Sequence, residues 1–143
     1  MNLCLHTSHF RFVYVFESGH KLIGTVKGDS YGNTLDVIFN LRSLKAICLN
    51  NQGNLIMGFD QVFGQFTLHD SEAVLAGSQA GGESFFSFNY RDAEASIYDA
   101  RRNVWVATGW DPNNWHVKKL VKPKNQSLVI TDRKPEWASR AIA

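Results

Sequence analysis

Residues 9–16 read His-Phe-Arg-Phe-Val-Tyr-Val-Phe, and how that stretch is read decides the fold class. Side chains of an extended strand change sides at every residue, so Phe10, Phe12, Tyr14 and Phe16 share one face and Arg11, Val13 and Val15 the other. Four rings on one face require a dry layer to pack into. The segment is therefore a strand with one buried side, and its neighbours must supply the rest of that layer.

The flanking sequence continues the pattern. Glu17-Ser18-Gly19-His20 predicts a turn, and residues 21–27 return as the second arm of a hairpin. Gly24 inside that arm marks a bulge or a close aromatic neighbour. Residues 28–33, Gly-Asp-Ser-Tyr-Gly-Asn, are turn formers, after which residues 35–40 resume β-branched and aromatic content. Residues 44–49 predict another strand, folded back through the loop at 50–54 onto residues 55–59. Residues 62–68 and 73–77 follow with one interior glycine or a weaker pattern, then the loop tip at 78–83. Residues 85–90 alternate again and place Phe86, Phe88 and Tyr90 together.

The richest stretch is 95–121, ASIYDARRNVWVATGWDPNNWHVKKLV. Asp99-Ala100-Arg101-Arg102-Asn103 separates Ile97-Tyr98 from Val104-Trp105-Val106, which predicts a hairpin with Tyr98 opposite Trp105. Trp105 lies within the run and is expected in the core. Strand signals recurring every ~8–12 residues predict an all-β fold: an antiparallel β-sandwich or flattened barrel, largely a meander, of about nine to eleven strands. Residues 1–121 form the single β domain in this reading and 122–143 a basic C-terminal tail, where 135–141 carry the pattern of a short helix with Pro135 in its first turn.

Composition agrees with a folded chain. At 143 residues, with 44% apolar and 13% aromatic side chains, a single core can bury about two-thirds of the unfolded surface. The first residues lack the charged and long apolar regions of a signal peptide, and no apolar run reaches the ~20 residues needed to cross a bilayer. As written the chain reads as cytoplasmic, or as exported if it is a piece of a longer protein. Cys4 and Cys48 are expected to be buried free thiols. Residues 118–143 are net +5, leaving net −3 for residues 1–117. A basic tail on a mildly acidic body suits an acidic polymer or the cover of a sheet edge.

Motifs for chemistry are sparse. His6 and His9 fall on opposite faces of a strand with no ligand partners near them, and 28–36 lack the residue order of a calcium loop, so no metal is expected. His69-Asp70 is the only adjacent His and carboxylate pair, but neighbours on a strand diverge, and no catalytic residue or cofactor is assigned. The loop Gly109-Trp110-Asp111-Pro112-Asn113-Asn114-Trp115 is more informative. An exposed Trp beside Asp and Asn suits a sugar face and its hydroxyls; alternatively, two rings pin the loop back onto the sheet.

The candidate ligand-binding residues are therefore Trp110, Asp111, Asn113 and Asn114, with Arg101 and Arg102 at the hairpin tip. The expected function is a non-catalytic binding or structural module for a polysaccharide or other extended polar polymer. A barrel with an internal pocket for a small apolar ligand is the rival. The tail lacks interleaved aromatics, which argues against nucleic acid as partner; face-to-face pairing of aromatic-rich sheets makes a homo-oligomer a further expectation.

The order SGHKLIGTVKGDSYGN, FNLRSLKAI and ASIYDARRNVWVATGWDPNNWHVKKL resembles the small β-rich domains of cyanobacterial secreted proteins of the Pro-Glu-Pro sorting-signal type, over roughly residues 12–120. The resemblance implies an exported, all-β, non-enzymatic domain and supplies no catalytic residues. The chain departs from that group in having neither the export signal nor the terminal apolar anchor.

Overall fold

The computed structural model describes residues 4–32 and 37–121. Among them ten strands form one curled antiparallel sheet: β1 (His6–Val15), β2 (Lys21–Ser30), β3 (Val37–Leu49), β4 (Leu55–Phe59), β5 (Gln61–Thr67), β6 (Ala73–Ser78), β7 (Phe85–Asn89), β8 (Glu94–Asp99), β9 (Val104–Thr108) and β10 (Trp115–Leu120). The order is β10-β1-β2-β3-β5-β6-β7-β8-β9, with β4 on the other stretch of β3. Every pairing along the path joins chain neighbours except β10 on β1 and β5 on β3, which skips β4, so the meander expected from turn spacing is largely present. The two ends of the path, β9 and β10, are joined through residues 109–114, which carries the chain from one edge of the half-barrel to the other. No helix among the described residues is long and apolar enough to cross a membrane.

The concave side is the core. Phe10, Phe12, Tyr14 and Phe16 are all buried, as the alternation required, and meet Phe66, Phe86, Phe88 and Trp115. Edge-to-face and offset contacts at centroid distances of 4.8 to 6.4 Å connect these rings, the geometry that ring quadrupoles favour. So much ring volume leaves room for nothing on the facing wall. A Cβ added at Gly24 would lie 2.6 Å from the Phe12 ring, and one at Gly77 would run into the Phe86 ring. Gly24 therefore has the close aromatic neighbour expected of it.

Three local predictions are corrected. Residues 28–30 belong to β2, paired with His6 to Ser8, because Asp29 is held by Thr7, Asn40 and Arg42. β3 is one strand of 13 residues, not two. The polar residues between the two expected runs are absorbed as bulges, with Asn40 and Ser43 at φ of 52° and 55°. Cys4 is exposed; Cys48 is buried, and both thiols are free. The tail 122–143, with the helix pattern at 135–141, lies outside the described residues.

Candidate functional site

Outer-face side chains of β5 to β9 align in rows because directly paired residues share a face. One row runs Gln61, Ser78, Phe85, Tyr98, Trp105; the next runs Phe63, Ala76, Ser87, Ser96, Thr108; a third runs Gln65, Val74, Asn89, Glu94. The first row ends in a cluster of rings. Tyr98 lies 4.9 Å from Trp105 and 5.6 Å from Phe85, and Phe85 meets Trp105 edge-on at 5.8 Å. The second row has no side chain longer than Thr between Phe63 and its end, and so forms a trough. Its hydroxyls, on Ser87, Ser96 and Thr108, lie beside the rings, and a cavity of about 290 Å3 opens there between Glu94, Ser96, Trp105 and Thr108.

Trp105 is 58% exposed, which corrects its expected place in the core. Ala107 pairs with Ile97 and faces inward, and simple alternation would turn Trp105 inward with it. A bulge between those pairs sets three residues of β9 against two of β8, which turns Trp105 outward opposite Tyr98. The pairing of Tyr98 with Trp105 was legible; the face was not.

The joint at 109–114 holds the other candidates. The Tyr14 hydroxyl donates to the Gly109 carbonyl and accepts from the Asp111 N–H, both at 2.7 Å. Burial pushes the Tyr14 phenol above its usual pKa, and the Asp111 N–H pulls against that shift without cancelling it. Trp110 lies parallel to the Tyr14 ring, 5.1 Å away and tilted by 5°, and also touches Phe88 and Trp115. Asp111 caps the short 3-10 turn Pro112–Asn114, accepting from the Asn113 N–H at 3.0 Å. The rings of Trp110 and Trp115 thus pin the joint to the sheet, with Trp110 half-buried and Asp111 and Asn113 exposed.

Arg101 and Arg102 sit at the opposite end of β9 from Trp110, a strand of five residues and so roughly 17 Å long. The six predicted residues therefore bracket the exposed aromatic row instead of meeting at one point. At the arginine end, buried Asp99 accepts the N–H groups of Arg101 and Arg102 and lies 3.7 Å from the Arg102 guanidinium. A cleft of about 490 Å3 opens there between Met57, Gln79, Ser84, Asp99, Arg101 and Arg102. No cluster of three or more metal-ligating side chains occurs among the described residues.

No protein-family model, curated protein or solved structure matches the chain. The resemblance to secreted cyanobacterial domains consequently rests on the sequence stretches quoted for it.

Proposed function

We propose that the protein is a non-catalytic β module that binds an extended polysaccharide across the outer face of β7, β8 and β9. The observation that carries this reading is the outward Trp105, framed by Tyr98 and Phe85 and bordered by the hydroxyls of Ser87, Ser96 and Thr108. A sugar ring has an apolar face and a hydroxyl rim. An exposed indole offers the first a flat apolar surface, and a row of small hydroxyl side chains offers the second donors and acceptors without blocking the approach. Arg101 and Arg102 at one end, and Asp111, Asn113 and Asn114 at the other, extend the polar contacts along the polymer. The three rows carry a single carboxylate, Glu94, whereas glycoside hydrolysis generally takes a pair, which favours binding over cleavage.

Affinity electrophoresis against a panel of soluble glucans, xylans and mannans tests the reading. One polymer is expected to retard the protein, and Trp105→Ala to abolish the retardation while leaving the circular dichroism spectrum unchanged. Retardation by the same polymer that survives Trp105→Ala would remove the site; no retardation by any polymer would remove the function.

The rival small-ligand reading draws support from the cleft at Asp99, Arg101 and Arg102. Rings fill the interior, so the cleft lies at the rim, and its two arginines suit a small polar anion better than an apolar ligand. A thermal-shift screen with carboxylates and phosphates separates the two: a rise in melting temperature lost in Arg102→Gln favours the cleft.

A further inference from the structure

The other half of the outer surface presents a different chemistry. β10, β1, β2 and β3 carry Arg11, Lys21, Lys27, Arg42, Lys45, Lys118 and Lys119 against one carboxylate, Asp29, whereas β4 to β9 contain no Lys or Arg at all. Pairing register arranges the outward cations in two adjacent rows: Lys118, Arg11, Thr25, Lys45, and next to it Leu120, His9, Lys27, Arg42. Neighbouring strands are ~4.8 Å apart and neighbouring rows roughly 6.7 Å, so the charges form a close grid. Asp29 offsets only Arg42, 3.0 Å away, and Arg11, Lys27, Lys45 and Lys118 form no ion pair with another described residue.

The grid leads to a pair of rings. Phe39 follows in the next row, opposite Asp29, and Tyr31 meets its ring at 5.3 Å, tilted by 35°, with 42% of its own surface exposed. From Thr25 to Tyr31 the track measures about 20 Å along β2. Cations spaced at intervals of a few ångströms and ending on an open aromatic face are the two elements that bind single-stranded nucleic acid without sequence preference: the charges follow phosphates and the ring stacks on a base. A sulfated polysaccharide or an anionic lipid surface would also use the charges, but a flat base stacked on the ring is the contact that adds most to them.

We infer that the outer face of β10-β1-β2-β3 binds a single-stranded nucleic acid, with Arg11, Lys27, Lys45 and Lys118 on the phosphates and Tyr31 under a base. This surface is separate from the proposed polysaccharide face and does not depend on it.

Fluorescence anisotropy of a labelled oligothymidylate with the full-length chain tests the inference. Removing two phosphate contacts in Arg11→Gln/Lys45→Gln is expected to weaken binding about tenfold at ~50 mM salt and to lower the slope of log K against log[salt] by about 1.4. Tyr31→Ala is expected to cost fivefold or more, the order of one lost stacking contact, with the salt slope unchanged. Trp105→Ala should leave oligonucleotide binding intact, which separates this surface from the first. Heparin and anionic vesicles serve as competitors. The inference is overturned by an absence of binding, by binding unaffected by the Arg11/Lys45 substitutions, which would assign it to the basic tail, or by competitor binding of equal strength with Tyr31→Ala affecting neither.

Discussion

The two halves of the sheet share one inner face and have little in common outside. On β10-β1-β2-β3 two outer rows are cationic, with Asp29 locked to Arg42, beside an apolar patch of Val13, Ile23, Ile47 and Leu49; on β5 to β9 the rows are rings, hydroxyls and small side chains. Inside, the halves are inseparable: Tyr14 of β1 touches Phe88 of β7, and Phe12 of β1 touches Phe86 of β7. The interior therefore sets stability for the whole sheet, while each outer face is free to carry its own chemistry. Substitutions inside should affect both halves at once, and those outside should affect one half and cost little.

The largest effect tests the shared interior. Phe88 is 1% exposed and contacts Tyr14, Phe16, Trp110 and Trp115, so Phe88→Ala should cost about 3–5 kcal/mol. Urea unfolding followed by tryptophan fluorescence and by far-ultraviolet circular dichroism should give coincident transitions in the variant, as in the parent. Two separated transitions would mean that the halves fold apart and that the comparison fails.

Next comes the joint between the edges. Tyr14→Phe keeps the ring on Trp110 but leaves the Gly109 carbonyl and the Asp111 N–H without their shared partner, a loss of about 1–3 kcal/mol. Hydrogen exchange should show the loss as faster exchange at Asp111. A change below about 0.3 kcal/mol would mean that water replaces the hydroxyl.

The pH limits divide between the outer face and the core. Hydrogen bonds from Arg42, Thr7 and Asn40 hold the Asp29 carboxyl down at about 2, from its ordinary 3.8. A depressed carboxylate stabilises the fold above its unfolded pKa, so this contribution is complete above about pH 4 and is lost as pH falls toward 2. Burial, reinforced by the nearby Asp99 charge, pushes the Cys48 thiol from 9.0 up to about 12. Here the neutral form is favoured in the fold, so stability falls as pH rises from 9 toward 12. Asp29→Asn should flatten the acid limb of a melting-temperature profile, and Cys48→Ala the alkaline limb. Each substitution should leave the slope of the other limb unchanged.

The legibility of these features follows from the range over which each is determined. Alternation is a local property, so the ring face of β1 and the Tyr98–Trp105 pairing were readable, and so was the need for a small residue at Gly24. Bulges depend on what the partner strand presents. Nothing within residues 104–108 announces that Trp105 turns outward, and the bulges at Asn40 and Ser43 made one strand look like two. The hydroxyl of Tyr14 reaches partners 95 and 97 positions away, which local patterns cannot reveal. Charge segregation belongs to the same class, because the sequence shows a basic tail but only register aligns Arg11, Lys27, Lys45 and Lys118 on one face.

The smallest expected change in stability is also the sharpest test of the comparison. Trp105 is mostly exposed, and its removal forfeits a cross-strand ring pair, worth roughly 0.2–1 kcal/mol. Trp110→Ala, five positions along, strips a ring from Tyr14, Phe88 and Trp115 and should cost several times as much, on the order of 2–4 kcal/mol. The two substitutions should therefore rank oppositely in two measurements: Trp110→Ala the greater loss in urea midpoint, Trp105→Ala the greater loss of polysaccharide retardation. If Trp110→Ala abolished retardation at a temperature where its circular dichroism spectrum still matched the parent, while Trp105→Ala did not, recognition would belong to the joint and the bulge at Trp105 would be a matter of packing alone.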